Sequence, residues 1–281
     1  MRALISAELE LAPLVELQAT DARAGFALSE EAGWNQTVED WSLLIRLGRA
    51  YGIPDPAGRL VATALAVPYP SAFGWIGMVI VHEPYRRRGL ASRLMERTIA
   101  ELRDRDLVPF LDATPAGQAV YERMGFRPVD ALARWRGPGG GAAAHELPPL
   151  TEVQSVTELD AAAFGTDRSA FLEDLLQRPG ALSRHDPAGG FLLARRGRTA
   201  TYIGPVVAAK TATALRLLES ALAAVSGPVL IDVPDRQTDV TKFLSSRGFD
   251  KERPFARMAL EHDSGFGDPT LVCAAAAPEL G

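Results

Sequence analysis

The amino-acid sequence predicts an α/β protein made of two similarly folded domains in tandem. Strand-type and helical hydrophobic patterns alternate through both halves of the chain. The second half repeats the order of these patterns. Between the halves, the stretch RGPGGGAAAHELPP (136–149) is rich in Gly, Ala and Pro and has no hydrophobic period. We therefore predict a first domain over residues 1–136, a linker over 137–149 and a second domain over 150–281.

The amino-acid composition argues against several classes of protein. The chain has 281 residues, of which 47% are hydrophobic, so it can bury two cores. Its net charge of −5 does not fit a general nucleic-acid binder. Glu8 and Glu10 interrupt the start where a signal peptide needs an apolar core, and no apolar run approaches the roughly 20 residues of a membrane span. With Cys273 as the single cysteine, no intrachain disulfide can form. We expect a cytoplasmic protein that binds neither nucleic acid nor membrane.

The first half predicts a series of strands and helices. A short strand at Val15 is followed by a helix that ends at Gly33 and by a second helix with Thr37 as its N-cap. Thr114 and Pro115 are typical of the N-cap and first position of a later helix. The remaining predicted elements are strands over 59–67 and 74–81, a helix over 89–103, a strand over 107–113 and a strand over 126–135.

The second half repeats this order. Its predicted elements are strands over 191–196, 201–207, 228–233 and 255–260, with helices over 211–225 and 240–249. Two pairs of anchors align: Ile76-Gly77 with Ile203-Gly204, and Leu111-Asp112 with Ile231-Asp232. The anchors lie 35 residues apart in the first repeat and 28 in the second. Asp112 and Asp232 therefore match, and we predict that both cap or brace the end of a strand.

Three consecutive arginines precede one predicted helix. They lie in residues 82–89, HEPYRRRG, which we call the arginine loop and which the second repeat lacks. A helix N-terminus already has unpaired N–H groups and about half a positive charge. Additional arginines there favour an anion, and Gly89 and Ala91 leave room for its oxygens to approach the backbone. A solvated basic turn is the alternative, because runs of charge are typical of surface loops.

Two motifs resemble signatures of the GNAT acetyltransferase superfamily. Arg86-x-x-Gly89-x-Ala91 is similar to its acetyl-CoA signature, and LDATPAGQAVYERMGF (111–126) is similar to its second signature. The stretch GWNQT (33–37) and the tandem organisation resemble a two-domain subgroup whose second copy is degenerate. The resemblance implies two tandem GNAT-like mixed β-sheet domains flanked by helices, with acetyl-CoA as the cosubstrate.

The same resemblance implies the residues of the site. The arginine loop and the following helical turn would bind the CoA pyrophosphate, and the preceding strand would hold the pantetheine arm through its backbone. Tyr121 falls where the family has its general acid; on periodicity alone it could equally be a core aromatic. Thr114 stands where many relatives have Asn. The implied cofactor-binding residues are Val79, Ile80, Val81, Arg86, Arg87, Arg88, Gly89, Leu90, Ala91, Ser92, Thr114 and Gly117, and the implied acceptor-site residues are Trp34 and Asn35.

Other chemistries find less support in the sequence. His82, His145, His185 and His262 are scattered without the spacing of metal ligands, so we predict no metal site. Residues 204–211 nearly match a phosphate-binding Walker A loop, but Ile203–Val207 aligns with a strand of the first repeat and leaves too few residues for such a loop.

The prediction is an N-acetyltransferase that moves an acetyl group from acetyl-CoA to a primary amine of a small molecule or peptide. No general base is identified, because the strand over 73–81 lacks a carboxylate; His82 and Glu83 follow it directly. The alternative is a non-catalytic sensor or scaffold that binds acyl-CoA. We expect one CoA per chain, since the second repeat lacks the arginine loop.

Overall fold

The computed structural model describes residues 13–70, 72–143 and 146–281. Of these, residues 13–68 and 72–109 form one compact unit, and residues 69–70, 110–143 and 146–281 form a second. The predictions that concern Glu8, Glu10 and His145 lie outside the described residues. Within the described ranges, no helix is long and apolar enough to cross a membrane.

The first unit contains a four-stranded antiparallel sheet in the order β1-β2-β3-β4. The Thr37 hydroxyl accepts a hydrogen bond from the backbone N–H of Asp40, as expected of the predicted N-cap. The elements are β1 (Val15–Leu17), α1 (Ala22–Glu31), α2 (Val38–Leu47), β2 (Arg49–Pro54), β3 (Leu60–Pro68), β4 (Phe73–Val81) and α3 (Leu90–Arg103).

A β-bulge interrupts the pairing of β3 with β4. Thr63 pairs with Ile80 and Leu65 pairs with Gly77, so Met78 and Val79 together face one residue of β3. The Thr63 hydroxyl donates a hydrogen bond of 2.9 Å to the carbonyl oxygen of Met78. A buried side chain therefore fixes the bulged backbone at Met78, immediately before Val79, the first of the residues predicted to hold the pantetheine arm.

The second unit contains a mixed sheet in the order β5-β11-β6-β10-β9-β8-β7, with β12 paired to β9. Among the described strands of this sheet, the pairing of β9 with β10 is parallel and the other pairings are antiparallel. The elements are β5 (Val108–Ala113, in this unit from Phe110), α4 (Pro115–Arg123), β6 (Phe126–Pro138), α5 (Thr157–Phe164), α6 (Ser169–Gln177), β7 (Leu182–Asp186), β8 (Gly190–Arg196), β9 (Thr201–Ala208), α7 (Thr211–Ala224), β10 (Pro228–Pro234), α8 (Thr238–Ser246), β11 (Asp250–Leu260) and β12 (Val272–Ala274).

The last strands of the two repeats are exchanged. β6, which ends the first repeat, pairs with β10 of the second repeat, and β11, which ends the second repeat, pairs with β5 of the first. β6 and β11 also pair with each other along most of their length. Because of this exchange, the compact units do not follow the two halves of the sequence.

Some elements differ from the sequence-based expectations. β2, α5, α6, β7 and β12 were not predicted. β6 continues to Pro138, and the next two glycines donate backbone hydrogen bonds of 2.7 Å to Gly227 and Leu222. The first residues of the predicted linker are thus part of the packed second unit. The boundaries of the two domains remain a prediction.

Candidate active site

The arginine loop connects β4 to α3 in the first unit. Residues 83–85 form a short 3₁₀ turn, and Gly89 is the N-cap of α3. Gly89 has φ +76°, a left-handed conformation that favours glycine. A Cβ built there would meet nothing within 4 Å, so backbone conformation, rather than crowding by the protein, requires glycine. The open space at this position leaves the start of the helix accessible.

Two of the three arginines brace the loop. Arg86 Nε donates a hydrogen bond of 3.0 Å to the carbonyl oxygen of Val81. Arg88 Nη2 donates to the carbonyl oxygen of Pro84 at 2.9 Å, and its guanidinium lies 5.4 Å from the centre of the Tyr85 ring. The second terminal nitrogen of Arg88, Nη1, is buried and has no hydrogen-bond partner among the described residues. An acceptor that the protein does not supply would satisfy it.

Backbone donors at the start of α3 are also unpaired. The first backbone bond of the helix runs from Arg93 N–H to the Gly89 carbonyl oxygen at 3.1 Å. In the described parts of the chain, the N–H groups of Leu90, Ala91 and Ser92 meet no protein acceptor, and no side chain caps the helix. These donors and the positive end of the helix dipole suit a phosphate, and Arg88 adds a positive charge in the adjoining loop.

The predicted pantetheine residues lie on β4: Val79 is part of the bulge, and Ile80 and Val81 follow it directly. Ile80 is buried, whereas Val79 and Val81 are half-buried and pack against a cluster that includes Leu90 and Leu94 of α3. This packing holds the end of β4 against the first turns of the helix. The strand and the arginine loop are therefore positioned by one shared core.

The end of α1 contacts the end of β4. Glu31, the last residue of α1, lies 2.6 Å from His82 Nδ1 and also pairs with the Arg59 guanidinium. The His82 side chain is only 19% exposed. This contact places the end of α1 beside His82, the first residue of the arginine loop. The segment after α1 contains the predicted acceptor residues Trp34 and Asn35.

One polar residue in that segment was missed by the sequence analysis. Gln36 is 9% exposed, and its carbonyl oxygen Oε1 is buried with no hydrogen-bond partner among the described residues. Asn35 beside it is also buried, and Trp34 is half-buried. The only sequence signal was the position of Gln36 within GWNQT, since glutamine by itself indicates no chemistry.

Tyr121 lies on α4 in the second unit. Its ring packs back over Gly117: a Cβ on Gly117 would lie 2.9 Å from Tyr121 Cε2, so glycine makes room for the ring. The ring centre is 6.1 Å from that of Phe126. Burial raises the pKa of the Tyr121 phenol to about 12, and the hydroxyl has no hydrogen-bond partner within the described ranges. The phenol is thus a protonated, unengaged donor at neutral pH.

Thr114 precedes α4 as its N-cap, as predicted, but its hydroxyl makes no capping bond. The Thr114 carbonyl oxygen instead accepts hydrogen bonds from the N–H groups of Gly117 and Gln118, at 2.9 and 3.0 Å. The Thr114 side chain is half-buried.

Asp112 and Asp232 each form an ion pair with an arginine on an exchanged strand. Asp112 accepts two hydrogen bonds of 2.9 Å from Arg257. Burial raises the pKa of Asp112, against the effect of Arg257. Asp232 accepts bonds of 2.8 and 2.7 Å from Arg134, and the Tyr202 hydroxyl donates to it at 2.8 Å. Both carboxylates brace strands; neither is a capping residue.

The second repeat has no counterpart of the arginine loop. Only Ala209 and Lys210 separate β9 from α7. Aligned through Ile76 and Ile203, the residues that correspond to the pantetheine strand 79–81 are 206–208, and β12 pairs with them: Val272 opposite Val207, Ala274 opposite Val206.

The segment around β12 lies between β9 and β10. These strands pair only at Thr201–Tyr202 and Val229–Leu230. Ala275 N–H donates to the Asp232 carbonyl oxygen of β10 at 2.8 Å. Further along the segment, Arg195 donates to Ala276 and Tyr69 donates to Leu280. The segment around β12 thus pairs with the part of β9 that corresponds to residues 79–81 of β4.

Comparison with known proteins also finds two related domains, one in each half of the chain. Residues 14–126 match a family model described as "Acetyltransferase (GNAT) family", and residues 156–267 match one described as "Acetyltransferase (GNAT) domain". An uncharacterized N-acetyltransferase, YitH of Bacillus subtilis (strain 168), is 25% identical over 257 residues, 85% of this chain and 88% of that protein.

Solved structures share the fold. A putative acetyltransferase from Pyrococcus horikoshii superimposes with a TM-score of 0.81 at 20% identity, covering 96% of this chain and 95% of that one. A tandem GNAT protein from the clavulanic acid biosynthesis pathway gives a TM-score of 0.63 at 16% identity, covering 91% and 99%. At these identities, the likeness concerns the fold alone.

Proposed function

Because the chain belongs to the GNAT acetyltransferase superfamily, with two GNAT domains in tandem, we propose that it transfers an acetyl group from acetyl-CoA to a primary amine. The observation that carries this proposal is the start of α3. There, a left-handed Gly89, the unpaired N–H groups of residues 90–92 and the unpartnered Nη1 of Arg88 lie together. The donors suit the pyrophosphate of CoA.

Each group of residues has a separate part in binding the cosubstrate. The arginine loop and residues 90–92 bind the pyrophosphate through backbone N–H groups and Arg88. Arg86 donates a hydrogen bond to the carbonyl oxygen of Val81, and its part is to hold the loop in position. Backbone groups of Val79, Ile80 and Val81 hold the pantetheine arm. Thr114 and Gly117 contribute at the start of α4, where Gly117 also sets the position of the Tyr121 ring.

The reaction needs an attacking amine and a leaving thiolate. The neutral amine nitrogen attacks the thioester carbonyl carbon, a C–N bond forms and the C–S bond breaks. Tyr121 donates the proton that the departing CoA sulfur takes up, and the surplus proton on the amine nitrogen passes to water, from which the phenol is reprotonated. The pKa of about 12 supports this role because the phenol keeps its proton at neutral pH.

The second GNAT domain binds no CoA in this proposal. β12 pairs with the backbone that would hold the pantetheine arm, and Ala209 with Lys210 replace the arginine loop. The role of the second GNAT domain is to brace the fold through the exchanged strands and to shape the acceptor site.

A screen of primary amines tests the proposed function. The unaltered protein is incubated with acetyl-CoA and each amine, CoA release is followed, and products are identified by mass. Acetyl-CoA without an amine is the control. Release above this control, with an acetylated amine as product, is the expected result. Tight CoA binding without release for any amine would instead identify an acyl-CoA sensor.

A further inference from the structure

Tyr85 belongs to the arginine loop, and its ring lies against the guanidinium of Arg88. The guanidinium is 5.4 Å from the ring centre, a distance at which an aromatic face attracts a cation. Among the described residues, Arg88 forms no ion pair with a carboxylate, and its side chain donates one hydrogen bond, to the Pro84 carbonyl oxygen. The loop therefore holds a positive charge on an aromatic face without a carboxylate to neutralise it.

A second arginine–tyrosine pair in the same unit provides a contrast. The Arg97 guanidinium of α3 lies 4.6 Å from the centre of the Tyr51 ring on β2. Glu101 pairs with Arg97 at 2.9 Å and accepts a hydrogen bond of 2.7 Å from the Tyr51 hydroxyl. The fold supplies a carboxylate to Arg97 and none to Arg88, which is the arrangement that a binding site for an external anion requires.

Three contacts fix the Tyr85 ring from outside the arginines. The ring packs against the hydrophobic cluster that contains Leu90 of α3, as does Val81 of β4. The Tyr85 hydroxyl donates a long hydrogen bond of 3.5 Å to Asp55 Oδ2, and the ring centre lies 5.6 Å from that of His82. The ring thus joins the loop to β4, to the first turn of α3 and to the turn between β2 and β3.

The two polar neighbours of the Tyr85 ring are themselves held in place. Asp55 Oδ1 accepts a hydrogen bond of 2.8 Å from the backbone N–H of Arg59. His82 Nδ1 lies 2.6 Å from Glu31, and Glu31 also pairs with the Arg59 side chain. A closed chain of contacts therefore surrounds the start of the loop and runs through Tyr85, Asp55, Arg59, Glu31 and His82.

The loop needs such a frame because its backbone is strained. Arg87 has φ +61°, a left-handed conformation that is unfavourable for a residue with a Cβ and persists only where the surrounding structure holds it. The Arg87 side chain is exposed. The conformation is maintained by the anchors on either side, Arg86 on the Val81 carbonyl oxygen and Arg88 on the Tyr85 ring.

We propose that Tyr85 is a positioning residue that holds Arg88, and with it the arginine loop, in the CoA-binding conformation before CoA arrives. The inference rests on the proposed function, in which Arg88 and the start of α3 bind the pyrophosphate. Tyr85 touches no part of the ligand and acts through Arg88. Because a preformed site loses less conformational freedom when it binds, Tyr85 contributes to CoA affinity and not to the rate of acetyl transfer.

Replacing Tyr85 by leucine and by phenylalanine tests the inference. Leucine keeps an apolar side chain but removes the aromatic face, whereas phenylalanine keeps the face and removes only the hydroxyl. By calorimetry, CoA affinity should fall about three- to tenfold in Tyr85→Leu and stay within about twofold of the unaltered protein in Tyr85→Phe. With a reactive amine, KM for acetyl-CoA should rise in Tyr85→Leu while kcat is unchanged. Tyr85→Met gives the same comparison if leucine does not pack.

A double-mutant cycle separates positioning from a general structural role. In the Arg88→Ala background the group to be positioned is absent, so Tyr85→Leu should weaken CoA binding little further. The matched control is Tyr51→Leu, which removes the ring next to Arg97. Its melting temperature should fall while its CoA affinity stays unchanged.

Equal CoA affinity in Tyr85→Leu and the unaltered protein would overturn the inference. Additive losses in the double variant, an equal loss of CoA affinity in the Tyr51→Leu control, or a loss in Tyr85→Phe as large as in Tyr85→Leu would do the same.

The outcomes separate this inference from the proposed function. If Tyr85→Leu alone weakens CoA binding in a protein that acetylates no amine, positioning by Tyr85 stands and the proposed transfer fails. If both proteins acetylate an amine with the same KM for acetyl-CoA, the transfer stands and the role of Tyr85 is wrong. Absence of CoA binding by the unaltered protein would contradict both.

Discussion

Arg134 of the first repeat and Asp232 of the second form a bidentate ion pair that is almost completely buried. Arg134 and Asp232 lie directly opposite each other on β6 and β10. Arg257 and Asp112 form the equivalent pair on β11 and β5. Each repeat therefore supplies one arginine and one aspartate to the other, so the strand exchange is quasi-symmetric.

Replacing Asp232 by asparagine should lower the free energy of unfolding by about 3–5 kcal/mol, because the charge of Arg134 stays buried without its partner. Arg195 contacts the same Tyr202 ring as Arg134, and Arg253 contacts the same Phe255 ring. Their positive charges add repulsion at the Arg134 guanidinium. Denaturant unfolding measures the change. The control is Asp263→Asn, which removes an exposed pair with Arg127 and should have little effect. Equal losses in both variants would contradict this account.

Arg88→Ala should weaken CoA binding by about 1–3 kcal/mol, since a charged hydrogen-bond donor to the pyrophosphate is lost. Calorimetry with CoA measures the affinity. Arg103→Ala, at the other end of α3 and exposed, is the matched control. The prediction is wrong if the two variants bind CoA equally well.

Tyr121→Phe should reduce turnover by about 10²–10⁴-fold with little change in CoA affinity, because it removes only the phenolic proton. Steady-state rates with a reactive amine, under conditions where chemistry limits the rate, are the measurement. Unchanged turnover would remove Tyr121 from the reaction.

Gly117→Ala provides the control for the position of the phenol. The added Cβ would lie 2.9 Å from the ring and displace it. Turnover should fall in the protein that has Tyr121 but change little further in the Tyr121→Phe background, a non-additive result. Independent, additive losses would show that Gly117 acts elsewhere.

Ionisation of the tyrosines should be delayed in the folded protein. Burial raises the pKa of Tyr121 to about 12. It is also the main reason why the pKa is raised in three other tyrosines: Tyr51, Tyr69 and Tyr202. In the unfolded chain the phenols have pKa values of about 10. These groups stabilise the fold fully below pH 10, and that stability is lost as pH rises toward the folded pKa values.

The tyrosinate absorbance band and circular dichroism, followed together against pH, check this expectation. Four of the five phenols should ionise only as the protein unfolds. Ionisation of all five near pH 10 in a protein that remains folded would contradict the burial of these side chains.

Local patterns predicted most of the individual elements. The helical stripe of α3 and the Thr37 and Thr114 caps are encoded within a few residues, so the sequence alone indicates them. β2 was missed because RAYGIP contains glycine and proline, which are unfavourable in strands. β12 was missed because its alanine-rich surroundings have no β pattern.

Long-range features could not be predicted in the same way. The hydrophobic pattern of β6 is the same whether it pairs within its own repeat or with β10, so the strand exchange leaves no local signal. The arginine loop was identified from spacing and charge, but the unpartnered oxygen of Gln36 depends on packing around the whole loop.

The central claim is that one CoA binds per chain, through the arginine loop of the first GNAT domain. Calorimetric titration of the intact chain with CoA tests it most directly; an isolated second half is unsuitable, because β10 and β11 pair with strands of the first repeat. We predict a stoichiometry near one CoA per chain. CoA binding should be lost in the Gly89→Val variant, because the branched side chain of valine is strained at φ +76°. Two equivalent sites, or unchanged binding by a folded Gly89→Val variant, would contradict the account.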